Sequence, residues 1–282
     1  MDIGVSMAIL SQSIDIAVLA EKAESLGFES LWLPEHPIMP VNPASKYAGT
    51  ADGSIPPAMG EMADPYIALA RASGVTHDLK LATGISLIPE RNPLVLAKEI
   101  ATLDLFSGGR FILGIGTGWL REETEVMGGD FDHRWSQARE AVLALRELWT
   151  KDEAEFHGKY YDFPPVRMYP KPAQKPHPPV LLGGMAKNVL RRVARWGDGW
   201  MPNRVTPDQV REGRAMLDTL AAEYERDASA LTISVYGQPP DLDLIKEFHD
   251  AGADRVVVRP NPANTEQEMN DELERLAGAV FK

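Results

Sequence analysis

The stretch KLATGISLIPERNPLVLAKEIATLDLFSGGRFILGI, residues 80–115, decides the fold. Its apolar run at Lys80–Ile88 predicts a strand, because consecutive apolar residues are typical of a strand buried on both faces. A helical pattern follows over Pro93–Phe106 and ends at Ser107-Gly108-Gly109, where glycine favours the end of a helix. A second apolar run at Phe111–Ile115 predicts the next strand. The stretch is therefore a strand–helix–strand unit of the kind that builds a parallel sheet.

The same unit recurs along the rest of the chain. An apolar run of strand length precedes each amphipathic segment, and the first helix is predicted over Ser13–Leu26 with Ser13 as its N-cap. The eight predicted strands are Asp2–Ala8, Glu29–Leu33, Lys80–Ile88, Phe111–Ile115, Val180–Leu182, Asp198–Met201, Leu231–Tyr236 and Arg255–Val258. Eight such units in 282 residues favour a closed α/β barrel, the (β/α)8 TIM barrel, which typically needs ~250 residues. No linker separates two compositions, so residues 1–282 are predicted to form one domain.

Two long segments interrupt this alternation, at residues 37–63 and 152–178. The first is rich in Pro, Gly, Ala and Ser and has no hydrophobic period, and the second has prolines at 164, 165, 170, 172, 176 and 178. Loops of this length inside a compact domain are uncommon and are often lids or binding loops. Both are predicted to be insertions at the C-terminal face of the barrel, and the segment 37–63 is predicted to close over the active site.

The composition narrows the classes of function. The formal net charge of -12 argues against a general nucleic-acid-binding protein, which would show a basic surface. The absence of cysteine excludes disulfides, thiolate metal ligands and a cysteine nucleophile. No apolar run approaches the ~18 residues of a membrane-spanning helix. The N-terminal MDIGVSMAIL lacks the basic segment of a secretion signal, so we expect a cytoplasmic protein that binds neither nucleic acid nor membrane.

Active-site residues are expected at the C-terminal ends of the predicted strands, where (β/α)8 barrels carry them. Glu35 and His36 follow the second strand. His36 could exchange a proton with a reacting carbonyl, alkoxide or ring nitrogen near neutral pH, or it could only hold the long segment after it. Glu35 could bind a hydroxyl group, hold His36 in its charged form, or be a solvated carboxylate.

Glycines cluster at other strand ends. Gly183-Gly184 stands before a predicted helix, where backbone N–H groups could cradle a phosphate, although glycine pairs also make tight turns. Gly116-Thr117-Gly118 allows the same two interpretations. The histidines show no HxH or HExxH spacing, which argues against a metal-dependent hydrolase. The chain also has no GxSxG nucleophile elbow.

Several motifs are similar to those of one family. They are SLWLPEH at 30–36, LATGISLIPERNPLVLAKEIATLD at 81–104, SGGRFILGIGTGW at 107–119, FHGKYYDF at 156–163, PKPAQKPHPPVLLGG at 170–184 and WGDGW at 196–200. In this order and spacing the chain resembles the luciferase-like monooxygenase superfamily. Within it, the chain is most similar to the actinobacterial oxidoreductases that depend on coenzyme F420, a deazaflavin.

The resemblance implies a TIM barrel with a flavin-like cofactor across its strand ends. In the family a non-prolyl cis peptide near the end of the third strand supports the cofactor ring, and here it would join Gly84 to Ile85. The family places an acidic residue, frequently Asp, and a histidine after the second strand, which implies catalytic roles for Glu35 and His36. The residues implied to bind the cofactor are Gly84, Ile85, Ser86, Thr117, Gly118, Gly183, Gly184, Met185, Gly199 and Trp200.

The reaction implied is hydride transfer between F420 and a small organic substrate, in which His36 protonates the product or stabilises developing negative charge. With FMN instead, the same family activates oxygen as a two-component monooxygenase, and the sequence leaves this choice open. A non-catalytic cofactor carrier and a sugar-phosphate lyase or isomerase are further alternatives. Arg167, Lys171 and Lys175 could contact the oligoglutamate tail of F420 or be ordinary surface charges. Relatives are often dimers, so a homodimer is expected by analogy.

Overall fold

Eight parallel strand positions close into a barrel in the computed structural model, which describes residues 1–8, 10, 15–263 and 265–281. In chain order the strands are β1 (Asp2–Ser6), β2 (Ser30–Leu33), β3 (Lys80–Thr83), β4 (Ser86–Leu87), β5 (Phe111–Gly116), β6 (Ala154–His157), β7 (Asp162–Val166), β8 (Val180–Gly183), β9 (Gly199–Met201), β10 (Thr232–Gln238) and β11 (Arg255–Val258). The barrel closes between β1 and β11, where Asp2 lies opposite Arg255. The predicted α/β TIM barrel is confirmed.

Helices alternate with the barrel strands. In chain order they are α1 (Ile16–Ser25), α2 (Pro65–Ser73), α3 (Pro93–Phe106), α4 (Arg121–Val126), α5 (Arg134–Thr150), α6 (Val189–Trp196), α7 (Pro207–Glu223), α8 (Leu242–Asp250) and α9 (Glu266–Val280). Asp64 and Asn92 cap α2 and α3 through their side chains, each directly before a proline at the first helical position. Asp15 caps α1, whereas the predicted cap Ser13 lies outside the described residues. Among the described helices, none combines the length and the apolar character needed to cross a bilayer.

Two hydrophobic clusters follow from the alternating direction of side chains along the strands. The larger cluster lies between the strands and the helices. The smaller cluster fills the barrel interior and consists of Trp32, Ala82, Ile112, Leu181, Met201 and Val257. Ile85 and Tyr236 pack against this interior cluster and stay partly exposed. The barrel interior is therefore a packed core, and these two side chains cover its C-terminal end.

The third strand position departs from the sequence-based expectation. The sequence predicts one continuous strand at Lys80–Ile88, but the structure interrupts it after Thr83. The peptide bond between Gly84 and Ile85 is cis, and the chain resumes as β4, which pairs with β5. The non-prolyl cis peptide implied by the family resemblance is therefore confirmed.

The segment 37–63 lies where the sequence predicts it. It leaves the C-terminal end of β2 and leads into α2, so it belongs to the C-terminal face of the barrel. A single short 3-10 helix, Pro57–Glu61, stands within it in the structure.

The segment 152–178 differs from its prediction in two respects. It contains the antiparallel hairpin β6–β7, and it follows α5 and precedes β8, so it begins and ends at the N-terminal face. Lys171 lies at this N-terminal face, because its ammonium group donates to two carbonyl oxygen atoms at the end of α5. Arg167, Lys171 and Lys175 therefore do not line the strand ends, which favours their interpretation as ordinary surface charges over contact with the tail of a cofactor.

Candidate active site

Ile85 and the glycines beside it form a flat apolar surface over the barrel interior, the floor of the site. The side chain of Ile85 fits between Gly116 and Gly183, and a Cβ atom at either glycine would collide with it. A Cβ atom at Gly84 would lie 2.6 Å from the ring of Tyr236. Burial raises the pKa of Tyr236 to about 12, so its hydroxyl group stays protonated. The structure therefore brings three predicted cofactor residues, Gly84, Ile85 and Gly183, together at this floor.

His36 forms one wall of the site. Its Nδ1 atom lies 2.7 Å from Oε2 of Glu123 on α4. The His36 ring packs edge-on against Trp119 at a centroid distance of 5.9 Å, and Trp119 in turn contacts Tyr47 at 5.2 Å. In the part of the chain that the structure describes, Nε2 of His36 has no hydrogen-bond partner. The ring is therefore held at one nitrogen and available to a ligand at the other.

Glu35 stands next to His36 in sequence but in different surroundings. Its carboxylate accepts hydrogen bonds from Ser86 Oγ at 2.9 Å, from Arg91 Nε at 3.1 Å and from one backbone N–H group. The Glu35 side chain is 1% exposed, so these bonds form a buried network that also engages Ser86. The carboxylate that contacts His36 belongs to Glu123 and not to Glu35, for which holding His36 was one of three open interpretations. The network holds Glu35 and Ser86 in place, and their predicted catalytic and cofactor-binding roles stay predictions.

A second buried carboxyl group, that of Glu90, lies close to Glu123. Its Oε1 accepts a hydrogen bond from Thr124 Oγ1 at 2.8 Å. Burial and the nearby charge of Glu123 raise the pKa of Glu90 to about 8, so it is largely protonated at neutral pH. Gly118 covers this group with a positive φ of +76, and a Cβ atom there would lie 3.0 Å from Glu90 Oε1. Gly118 therefore borders Glu90, and Thr117, which precedes it in the chain, is buried.

The loop after β8 presents free backbone donors. Gly184 has a φ of +95, and an added Cβ atom there would meet nothing within 4 Å. The N–H groups of residues 185–188, just before α6, have no partner within the described ranges, and the Met185 side chain is exposed. Free N–H groups at the start of a helix favour an anion. This geometry suits the phosphate predicted at Gly183, Gly184 and Met185.

Two predicted cofactor residues face elsewhere. The ring of Trp200 packs against Gly213 of α7, and its Nε1 donates to the Gly184 carbonyl oxygen at 3.0 Å. Gly199 begins β9 and pairs with Thr232 at the start of β10, so it lies below the strand ends. A ligand at the strand ends would depend on Trp200 only indirectly, through the loop that contains Gly184.

Two arginines add positive charge at the same end of the barrel. Arg134 begins α5, and Arg192 near the start of α6 stacks over Trp135 at 4.6 Å. Arg134 Nε and Arg192 Nη1 are buried and find no acceptor among the described residues. Burial lowers the pKa of both guanidinium groups, and a neighbouring arginine lowers each further. Arg192 lies in the first turn of α6, just after the free backbone N–H groups of residues 185–188, so its orphaned donor fits the phosphate of a flavin-like cofactor.

Glu122 fastens the segment 37–63 to α4. Its Oε1 accepts hydrogen bonds from the backbone N–H groups of Ala44 at 2.7 Å and Ser45 at 3.1 Å. The Ser45 side chain and these backbone groups lower the pKa of Glu122 to about 2. Because Tyr47 of the same segment contacts Trp119, this attachment covers the side of the site next to His36.

We expect Glu122→Ala to detach this segment and to raise its amide hydrogen exchange at neutral pH. In the unsubstituted protein the depressed pKa means that the attachment is complete above the ordinary value of 4.5 and is lost as the pH falls towards 2. Exchange measured by mass spectrometry over residues 37–63 checks both statements. Glu125→Ala on the same helix is the control, and equal exchange in the two variants would contradict the attachment.

Some site residues were missed by the sequence analysis. Glu90 and Tyr236 stand at predicted strand ends, so their location was available although their roles were not. Glu123 is one of three glutamates in REETEV at 121–126, and a helix of 6 residues is too short for a period to show which of them points inward. Whether Arg134 Nε and Arg192 Nη1 find acceptors depends on how α5 packs beside α6, and no local sequence pattern indicates this packing.

Comparisons with known proteins add to this geometry. A family model described as luciferase-like monooxygenase matches residues 10–239. An uncharacterized protein of Mycobacterium tuberculosis is 34% identical over 283 residues, which cover 99% of each chain. The FMNH(2)-dependent dimethylsulfone monooxygenase of Pseudomonas putida is 31% identical over 163 residues, 57% of this chain and 44% of that enzyme. The F420-dependent glucose-6-phosphate dehydrogenase of Amycolatopsis mediterranei is 31% identical over 191 residues, 66% and 52% of the two chains.

One solved structure supports the fold. The coenzyme F420-dependent tetrahydromethanopterin reductase of Methanopyrus kandleri superposes with a TM-score of 0.76. The match covers 100% of this chain and 99% of that one at 18% sequence identity. At this identity the likeness concerns the architecture of the barrel alone.

Proposed function

Because the chain belongs to the luciferase-like monooxygenase family, we propose that it is an oxidoreductase that uses coenzyme F420 to transfer a hydride to or from a small organic substrate. The observation that carries the proposal is that a floor at Ile85, a wall at His36 and an anion-binding loop at Gly184 meet at one end of the barrel. The similarity to an F420-dependent dehydrogenase supports the choice of a deazaflavin.

Bound F420 would supply the hydride chemistry, and the residues of this chain would orient the reactants and handle one proton. Ile85 and the glycines beside it offer a flat apolar surface for a ring system. Trp119 and Tyr47 exclude water from the side of His36. In the imidazolium form, with a hydrogen on both ring nitrogens, His36 would donate its Nε2 proton to the alkoxide oxygen that forms when a carbonyl group accepts a hydride. In the reverse direction it would take the proton of an alcohol.

Arg192→Gln is expected to weaken F420 binding by about tenfold, the effect of losing one charge-assisted hydrogen bond to a phosphate. A deazaflavin that lacks the phosphate should bind equally well to the variant and the unsubstituted protein. Fluorescence titration measures both affinities. Arg195→Gln, at an exposed position of the same helix, is the matched control. Equal weakening of both ligands would show that Arg192 acts through folding and not through the phosphate.

The second candidate function is an FMN-dependent monooxygenase. The similarity to an FMNH(2)-dependent monooxygenase of Pseudomonas putida favours it. The same floor and the same anion-binding loop would accept FMN, because the two cofactors share a tricyclic ring and a phosphate. The two functions differ in their need for oxygen.

Anaerobic assays separate the two functions. The F420 function predicts that a panel of small alcohols, aldehydes, ketones and enones contains a substrate that changes the absorbance of F420 without oxygen. The FMN function predicts substrate-dependent oxygen consumption with reduced FMN and no anaerobic turnover of F420. Cofactor binding with no turnover across the panel would favour a carrier and contradict both enzymatic functions.

A further inference from the structure

A pair of carboxyl groups behind His36 has no place in the mechanism above. The Glu123 side chain is 0% exposed, and its Oε2 is the atom that contacts His36 Nδ1 at 2.7 Å. The other oxygen of Glu123, Oε1, is buried and has no partner in the described part of the chain, and the same holds for Oε2 of Glu90. Unpaired buried oxygen atoms are unfavourable. Two of them in nearby buried carboxyl groups make it unfavourable for both groups to be charged.

The charges around Glu90 come from three directions. Glu123 on α4 and Glu35 after β2 add negative charge, and Arg91 beside Glu90 adds positive charge. Arg91 is already bonded to Glu35 and to Asp64, so it compensates Glu90 only in part. Burial, the largest cause, and Glu123 together raise the pKa of Glu90 to about 8. At neutral pH the pair therefore keeps one proton, because two adjacent buried carboxyl groups do not both ionise readily.

We propose that Glu123 is a positioning residue for His36 and that Glu90 maintains this role by retaining the proton of the pair. The Glu123 carboxylate accepts the Nδ1–H of His36, which selects the tautomer whose Nε2 faces the ligand without a hydrogen. The same contact fixes the ring against Trp119 and stabilises the imidazolium that forms when Nε2 takes a proton. Neither glutamate forms or breaks a bond to the substrate. The proposal rests on the proposed role of His36 in proton transfer.

The first test determines the tautomer of His36 in the protein without cofactor or substrate. Nitrogen-15 chemical shifts distinguish an imidazole protonated at Nδ1 from one protonated at Nε2, and the signal missing in His36→Gln assigns the ring. We expect the neutral ring to carry its hydrogen on Nδ1 in the unsubstituted protein and to lose this preference in Glu123→Gln. A neutral ring protonated on Nε2 overturns the proposal, even if the variants fail to fold.

The second test measures kcat and KM against pH with F420 and substrate. Glu123→Gln should lower kcat by about 10²-fold and leave KM within about threefold, because the ring loses its orientation rather than its ligand. The unsubstituted protein should show a change in kcat near pH 8 that Glu90→Gln abolishes, since glutamine cannot ionise.

Glu125→Gln on the same helix is the matched control, because its side chain is 52% exposed and its ion pair among the described residues is with the surface residue Arg121. This variant should match the unsubstituted protein in kcat and in pH profile. An equal loss of kcat in Glu125→Gln and Glu123→Gln, or a change near pH 8 that persists in Glu90→Gln, overturns the proposal. If F420 supports no turnover at all, the proposed function fails, while the tautomer measurement still decides the role of Glu123.

Discussion

Replacing His36 by alanine is expected to lower turnover with F420 by about 10²–10⁴-fold, the contribution of a positioned general acid or base. The variant removes the one ring nitrogen that the structure leaves for a ligand beside the floor at Ile85. The affinity for F420 should change by less than about threefold, because the floor and the anion-binding loop are untouched. Steady-state kinetics give kcat, and fluorescence titration gives the dissociation constant.

His157→Ala is the control for this variant. His157 lies in the hairpin β6–β7, its side chain is 64% exposed, and it pairs with Asp162 away from the strand ends. Turnover should stay at the level of the unsubstituted protein. A His36→Ala protein that also keeps this level would refute the proton-transfer role. A loss confined to F420 affinity would make His36 a binding residue instead.

Glu35→Gln is expected to lower the free energy of unfolding by about 3 kcal/mol, as expected for breaking a buried ion pair. The amide keeps the size of the side chain but removes the charge that faces Arg91, whose side chain is 15% exposed. The expected loss stays at the lower end of the range because Asp64 still contacts Arg91 Nη2 at 2.7 Å. Urea unfolding followed by tryptophan fluorescence measures the difference.

Glu153→Gln provides the same chemical change in an exposed ion pair. Glu153 pairs with Arg167, and the two side chains are 61% and 71% exposed, so this variant should lose less than about 1 kcal/mol. If Glu35→Gln is no less stable than this control, the buried network does not stabilise the fold. Full stability combined with lost turnover would restore the catalytic role that the family resemblance implies for Glu35.

The barrel could be predicted because each strand is an apolar run followed by a helical pattern. The direction of individual side chains could not. In β9 every residue is buried, so the strand shows no alternation of polar and apolar side chains, and the sequence does not reveal which face Trp200 takes. Trp200 was therefore assigned to the cofactor, whereas its ring packs against Gly213 of α7.

The hairpin in the segment 152–178 was hidden by its prolines. β7 contains Pro164 and Pro165, residues that normally argue against a strand. They are tolerated here because β7 pairs only with β6, so its other edge needs no backbone donors. Without the hairpin the segment resembles an irregular loop, and it was predicted at the C-terminal face of the barrel, whereas it begins and ends at the N-terminal face.

The sequence predicts the site residues that stand at strand ends. It does not predict those whose role depends on contacts between elements far apart in the chain. His36, Ile85 and Gly184 could be located from the positions of the strands and from the family motifs. The contact of His36 with Glu123 joins residues 87 positions apart, and no local pattern encodes it. The carboxylate of Glu123 that holds the histidine could therefore be recognised only in the folded chain.

We propose above that the C-terminal end of this barrel, around Ile85, His36 and Gly184, binds a deazaflavin. Equilibrium titration of the purified protein with oxidised F420, followed by its fluorescence and compared with FMN, measures this binding. We expect saturable binding of one F420 per chain with micromolar affinity, and weaker binding of FMN. No saturable binding of F420, or tighter binding of FMN than of F420, would contradict this proposal.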